Sequence, residues 1–190
     1  MFSGKLSHLP ESGKNYFYGG VLSSITRQPN VEEDLDILIS VSGPEPQRTV
    51  FEEKILKEIH HLPGRKVVVL GKTEVVSLIE DAPNLKVYSH IPRQQMELLV
   101  NKARLVISRP GYSTLMELAE LGKRALLVPT PGQTEQDYLA QLMMSNQWFY
   151  CVTQNKLDLG KDVEIAKTFS GLYLPNATQN TVNKVFNTLL

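Results

Sequence analysis

The sequence predicts an α/β fold in which one doubly wound parallel sheet is covered by helices on both faces. Three observations predict it. From residue 36 onward, short apolar runs of strand length alternate with segments of helical periodicity. The run "KVVVLG" is greasy on both faces, as a strand buried between two helix layers is. The 190 residues suffice for one sizeable core.

The elements follow in order. Residues 1–34 are rich in Gly, Pro, Ser and Asn, carry the aromatic cluster "YFY" and end in an acidic run, so turn chemistry predicts a linker or lead-in strand. Residues 35–190 form the predicted domain. "DILISVSG" is a first strand, closed by Gly43 and Pro44. "FEEKILKEIHHL" places Phe51, Ile55, Ile59 and Leu62 on one helical face. "KVVVLG" and "LKVYSHI" are the second and third strands. Pro92 opens the helix "PRQQMELLVNKA" as a first helical residue, with Met96, Leu99, Val100 and Ala103 as its stripe. "RLVIS" and "ALLV" are the fourth and fifth strands, "TEQDYLAQLMMSNQ" is a helix, and "WFYCV" is a sixth strand. Val182, Val185, Phe186 and Leu189 mark a closing helix. Such alternation implies right-handed βαβ units.

Composition excludes several classes. Lys plus Arg and Asp plus Glu both number 20, and no long basic run occurs, which argues against nucleic-acid binding. One cysteine, Cys151, excludes a disulfide framework and a cysteine-based zinc site within the chain. The start lacks the features of a secretory signal, and no apolar run reaches the roughly 18 residues of a membrane span. A cytoplasmic location is expected.

The stretch "ISRPGYSTLMELAELGKRALLVP" carries the chemistry. A strand ends at Ser108, Gly111 permits a turn or a close approach, and Ser113 or Thr114 can cap the following helix. Free N–H groups and the positive end of the helix dipole make an anion site there. Gly122 suits the helix C-terminus. Glu117 falls in the predicted first turn and has two readings. Thr114 and Glu117 have capping-box spacing; alternatively, the carboxylate accepts hydrogen bonds from a ribose. A second loop, "PTPGQTEQDY", follows the fifth strand, with Thr134 as a cap and Gln136 and Asp137 in the first turn of the next helix.

The segment 107–140 resembles the nucleotide-binding half of GT-B glycosyltransferases, a Rossmann-like fold. It is similar to the N-acetylglucosaminyltransferases that make a lipid intermediate of peptidoglycan, of glycosyltransferase family 28 type. The resemblance extends from residue 36 to the C-terminus. It implies that backbone N–H groups of Gly111, Tyr112, Ser113 and Thr114 hold a diphosphate, with Gly43 and Arg109 also among the nucleotide-binding residues. It implies Glu117 on the ribose, Gln136 and Asp137 on the transferred sugar, and the backbone of Ile91 on the base. Two departures stand out. The glycine-rich loop of the family's first strand is here "SVSGPEPQR", which keeps Gly43 alone, and "GGVLSSI" has serine where an arginine often follows the interdomain strand.

The resemblance further implies a UDP-sugar as donor substrate, no metal, and no other cofactor. It implies an acceptor-binding domain, in cis or as a separate subunit, that supplies the general base and any peripheral membrane contact. The chain alone is then inactive. None of His8, His60, His61 and His90 stands in a motif of a general base, and His90 borders the crevice as a structural residue or a phosphate contact. Two other functions fit the fold: a nucleotide-sugar epimerase, and a noncatalytic nucleotide-binding subunit of a split transferase.

Overall fold

A computed structural model of the chain describes residues 4–6, 18–72 and 76–189. His8 and all of the "YFY" cluster except Tyr18 lie outside the described residues. The elements run β1 (Leu35–Ser40), α1 (Gln47–Glu58), β2 (Lys66–Val69), β3 (Leu78–Ala82), β4 (Leu85–Tyr88), α2 (Arg93–Lys102) and β5 (Ala103–Ser108). Then come α3 (Tyr112–Leu121), β6 (Arg124–Leu127), α4 (Thr134–Ser145), β7 (Tyr150–Cys151), α5 (Leu159–Lys167) and α6 (Ala177–Leu189). A 3-10 turn at Ile59–His61 extends α1.

The seven strands form one sheet in the order β3-β4-β2-β1-β5-β6-β7. All pairings are parallel except β3 with β4, which is antiparallel and shifts register between Leu78 and Glu80. The predicted parallel sheet therefore carries one antiparallel edge. Burial explains the rest of the pattern. On β1, Ile37 and Ile39 face one layer and Leu38 the other; on β5, Leu105 and Ile107 face the first and Val106 the second. Alternation with period two thus feeds two cores. Phe51 and Ile55 of α1 and Leu159, Val163 and Ala166 of α5 cover the first face. Val100 of α2, Leu115, Leu118 and Leu121 of α3, and Leu139 and Met143 of α4 cover the second. This is the doubly wound arrangement.

Three local expectations are corrected. Pro92 is the N-cap of α2 and not its first helical residue, because its ψ of 151° is extended. The sixth strand shrinks to two residues. Residues 18–34 contain no strand, and they are held against the domain. Val21 and Ile25 are buried. Backbone N–H groups of Ser23, Thr26 and Gln28 donate to Thr178, Glu97 and Asn101 side chains at 2.8–3.0 Å. The described lead-in is stitched onto α2, α3 and α6.

Gly122 shows why α3 ends where it does. Its φ of +67° is left-handed, the Lys123 N–H returns to the Leu118 carbonyl at 3.0 Å, and a Cβ would sit 2.6 Å from the Tyr173 ring. Only glycine fits that turn without displacing the ring.

Candidate functional site

The chain leaves β1 toward β2 on one side, while β5 lies on the other, so the strand order reverses between β1 and β5. Ligands of open α/β sheets bind beyond the carboxyl ends of the strands at such a switch point. Two elements shape it here, the α3 N-terminus after β5 and the loop after β1. A cleft of about 80 Å³ lies between them, lined by Ser40, Ser42, Ser108, Thr114 and Glu117 above an apolar floor that includes Leu38 and Val106.

The start of α3 differs from the predicted one. Neither Ser113 nor Thr114 is the N-cap. Gly111 is, with φ −75° and ψ 152°, and no side chain caps the helix. The first intrahelical bond runs from the Leu115 N–H to the Gly111 carbonyl at 3.0 Å, which leaves the N–H groups of Tyr112, Ser113 and Thr114 without an intrahelical acceptor. Any residue can adopt the Gly111 backbone, and a Cβ there would meet nothing within 4 Å. The fold itself does not demand glycine at 111. Three uncommitted amides at a helix start that no side chain caps offer donors to an approaching anion.

Because α3 begins at Tyr112, Glu117 lies in its second turn and cannot complete a capping box with Thr114. Its carboxylate accepts instead from the Ser24 hydroxyl at 2.5 Å. Arg93, at the start of α2, donates to the Ser24 carbonyl and holds the lead-in over the site. Neither Ser24 nor Arg93 was singled out in the sequence as a neighbour of Glu117. Ser24 lies 93 positions from Glu117, and no local pattern announces such a contact.

The loop after β6 is also self-organised. Gln133, not Thr134, is the N-cap of α4, and no side chain caps that helix. Gln136 accepts from the Thr130 N–H at 2.8 Å through Oε1 and donates to Gln133 through Nε2. Asp137 lies in the first turn, where a carboxylate complements the helix dipole. Gly43 is exposed on the loop after β1 with φ +118°, close to Thr130 and Arg109. Ile91 is buried in the connection between β4 and α2.

Arg109 is placed differently from its sequence expectation. It is 3 % exposed, and its guanidinium turns to the α1 side of the sheet. It donates there to protein carbonyls and to Gln154, and stacks on Phe51 with Cζ 4.2 Å from the ring centroid. In this arrangement its donors are taken up by protein acceptors. Parity explains the side it takes: 105 and 107 face the α1 layer, and 109 continues their side.

Cys151 lines a second pocket together with Asp137 and Thr153. Burial pushes the Cys151 thiol up to about 12, which leaves it a thiol and not a nucleophilic thiolate at neutral pH. Among the described residues, no three His, Cys, Asp or Glu side chains cluster to hold a metal. Asp34 and Asp36 do have Asp-x-Asp spacing. They sit at the amino end of β1, however, paired with Arg65, Lys102 and Arg104. The backbone N–H of Arg65, followed by the Arg104 guanidinium, holds the Asp36 carboxyl below its ordinary range.

The sequence profile described as the glycosyltransferase family 28 C-terminal domain matches residues 46–186. The chain belongs to this family. An N-acetylglucosamine transferase of Flavobacterium psychrophilum, whose name specifies UDP-N-acetylglucosamine and a pyrophosphoryl-undecaprenol substrate, is 28% identical over 155 residues, which are 71% of this chain and 42% of that protein. The enzyme of the same name from Rickettsia rickettsii (strain Sheila Smith) is 34% identical over 93 residues, 47% of this chain and 25% of that protein. The chain thus spans less than half the length of the curated relatives it matches. Among solved structures, MurG of Acinetobacter baumannii superposes with a TM-score of 0.53 at 20% identity, over 84% of this chain and 51% of that one. The kitacinnamycin glycotransferase gives 0.56 at 14% identity, over 84% and 40%. The family 28 domain here has the fold of a GT-B C-terminal domain. Among the described residues, no helix is long and apolar enough to cross a membrane.

Proposed function

We propose that residues 35–190 are the donor-binding domain of a glycosyltransferase that moves a sugar from a nucleotide diphosphate, UDP, to an acceptor hydroxyl. One observation carries this reading: the uncapped start of α3 stands at the switch point, one helical turn before Glu117, which lines the cleft there with Thr114. The names of the matched relatives supply the choice of UDP.

The chemistry follows from the parts. As an acceptor oxygen attacks the anomeric carbon, charge grows on the departing diphosphate. The Tyr112–Thr114 amides and the positive end of α3 stabilise that charge without reorganising. Glu117 accepts from the ribose hydroxyls, which compete with Ser24 for the carboxylate. Gln136 and Asp137 face the transferred sugar, and the Ile91 backbone faces the base. Diphosphate binding by amides needs no metal. The general base and the acceptor site belong to a second domain, in cis or as a separate subunit, through which the assembled enzyme reaches a membrane surface from the cytoplasm.

Isothermal titration of UDP into the full chain tests this. Saturable 1:1 binding is expected, tighter than for GDP or dTDP and unchanged by EDTA. Failure of UDP to bind contradicts the proposal, and sugar transfer by the pure chain contradicts the assignment of the base to another domain.

A further inference from the structure

Arg109 has five N–H donors, and five acceptors meet them. Nη1 donates to the carbonyls of Val128 and Pro129 at 2.9 and 3.0 Å. Nη2 donates to the Gln47 carbonyl at 3.2 Å and to Oε1 of Gln154, and Nε reaches the Ser42 carbonyl at 3.4 Å. Gln154 in turn donates to the Gln47 side chain at 3.0 Å. These acceptors come from the segments after β1, β6 and β7, all at the carboxyl edge of the sheet.

None of the five acceptors is a carboxylate, and among the described residues no ion pair reaches Arg109. Burying a cation is costly unless something offsets it. Here carbonyl dipoles and the Phe51 ring do so, and neither cancels the charge. Desolvation lowers the guanidinium only to about 10, so it stays protonated at neutral pH. A fixed positive charge therefore stands two residues before Gly111, with Nε 3.9 Å from where a Cβ on Gly43 would lie in the loop after β1.

We propose that Arg109 is a positioning residue whose unneutralised charge draws a nucleoside diphosphate to the crevice while its five hydrogen bonds hold the crevice loops together. The inference rests on the nucleotide reading above. It differs from ligand contact in one respect: its effect on binding scales with the charge of the ligand and not with its shape. Even when screened by an effective dielectric of about 20, a unit charge acting on a diphosphate is worth roughly tenfold in affinity or more.

The test is an NMR titration of the full chain with UDP and with uridine, for the parent, Arg109→Lys and Arg109→Gln. In Arg109→Gln, UDP affinity should fall about tenfold or more while uridine affinity holds, so that their ratio collapses. Arg109→Lys, with three donors, should unfold at a lower temperature yet keep the ratio. Equal losses for both ligands in Arg109→Gln, or no loss for either, overturn the proposal. If the Gln variant does not fold, a collapsed ratio in Arg109→Lys does the same. A parent chain that binds no UDP overturns the nucleotide reading itself.

Discussion

Phe51→Ala should lower the free energy of unfolding by about 3–5 kcal/mol. Phe51 is 0% exposed and belongs to the core between α1 and the sheet, with Ile39, Ile55, Ile107 and Val128. Truncation removes the transfer free energy of the ring and leaves a cavity that rigid strands cannot close. It also strips the face on which the buried Arg109 guanidinium rests, a contact of about 0.5–2 kcal/mol when desolvated. Phe51→Leu keeps most of the volume and should cost less than half as much. Urea denaturation monitored by circular dichroism measures both. A Phe51→Ala loss below about 1 kcal/mol would show that the α1 layer is not packed as described.

Glu117→Gln should weaken UDP binding about 10- to 100-fold, because hydrogen bonds to a charged acceptor contribute about 1.5–3 kcal/mol. The fold should survive. Glu117 is only half-buried, and its bond to the exposed Ser24 can be remade by an amide oxygen. A ligand lacking both ribose hydroxyls separates this account from a general electrostatic one. Toward 2′,3′-dideoxy-UDP, parent and variant should bind alike. If the substitution weakens both ligands equally, or strengthens UDP by removing a negative charge, the carboxylate does not hold the ribose.

The sheet was legible wherever burial on both faces forced apolar runs, as in "DILIS", "KVVV" and "RLVIS". Two elements escaped that signal for different reasons. β3 is an edge strand whose residues Leu78, Ile79 and Asp81 are exposed, so no apolar alternation marks it. α5 does carry a signal. Asp158 caps it by accepting from the Lys161 N–H, and Leu159, Val163 and Ala166 form its buried stripe. Gly160 in the first turn obscures that pattern.

A helix start after β5 was legible too, because a strand, a glycine and hydroxyl residues announced it. Its details were not. The hydroxyls of Ser113 and Thr114 suggested a cap, yet the helix begins earlier, at Tyr112. A glycine N-cap leaves the amides without a side-chain partner, a difference that hydroxyl spacing alone does not reveal. The side taken by Arg109 was implicit in β-strand parity, whereas the Ser24 contact depends on tertiary folding alone.

The most direct test of the account is the position of UDP in a crystal of its complex with this chain. The diphosphate is expected against the Tyr112, Ser113 and Thr114 amides, with the ribose hydroxyls on Glu117. The chain offers a competing basin, a cavity of about 400 Å³ at the amino ends of the strands, lined by Asp36, Arg104, Arg124 and Lys167. UDP bound there, with the α3 amides untouched, would contradict it.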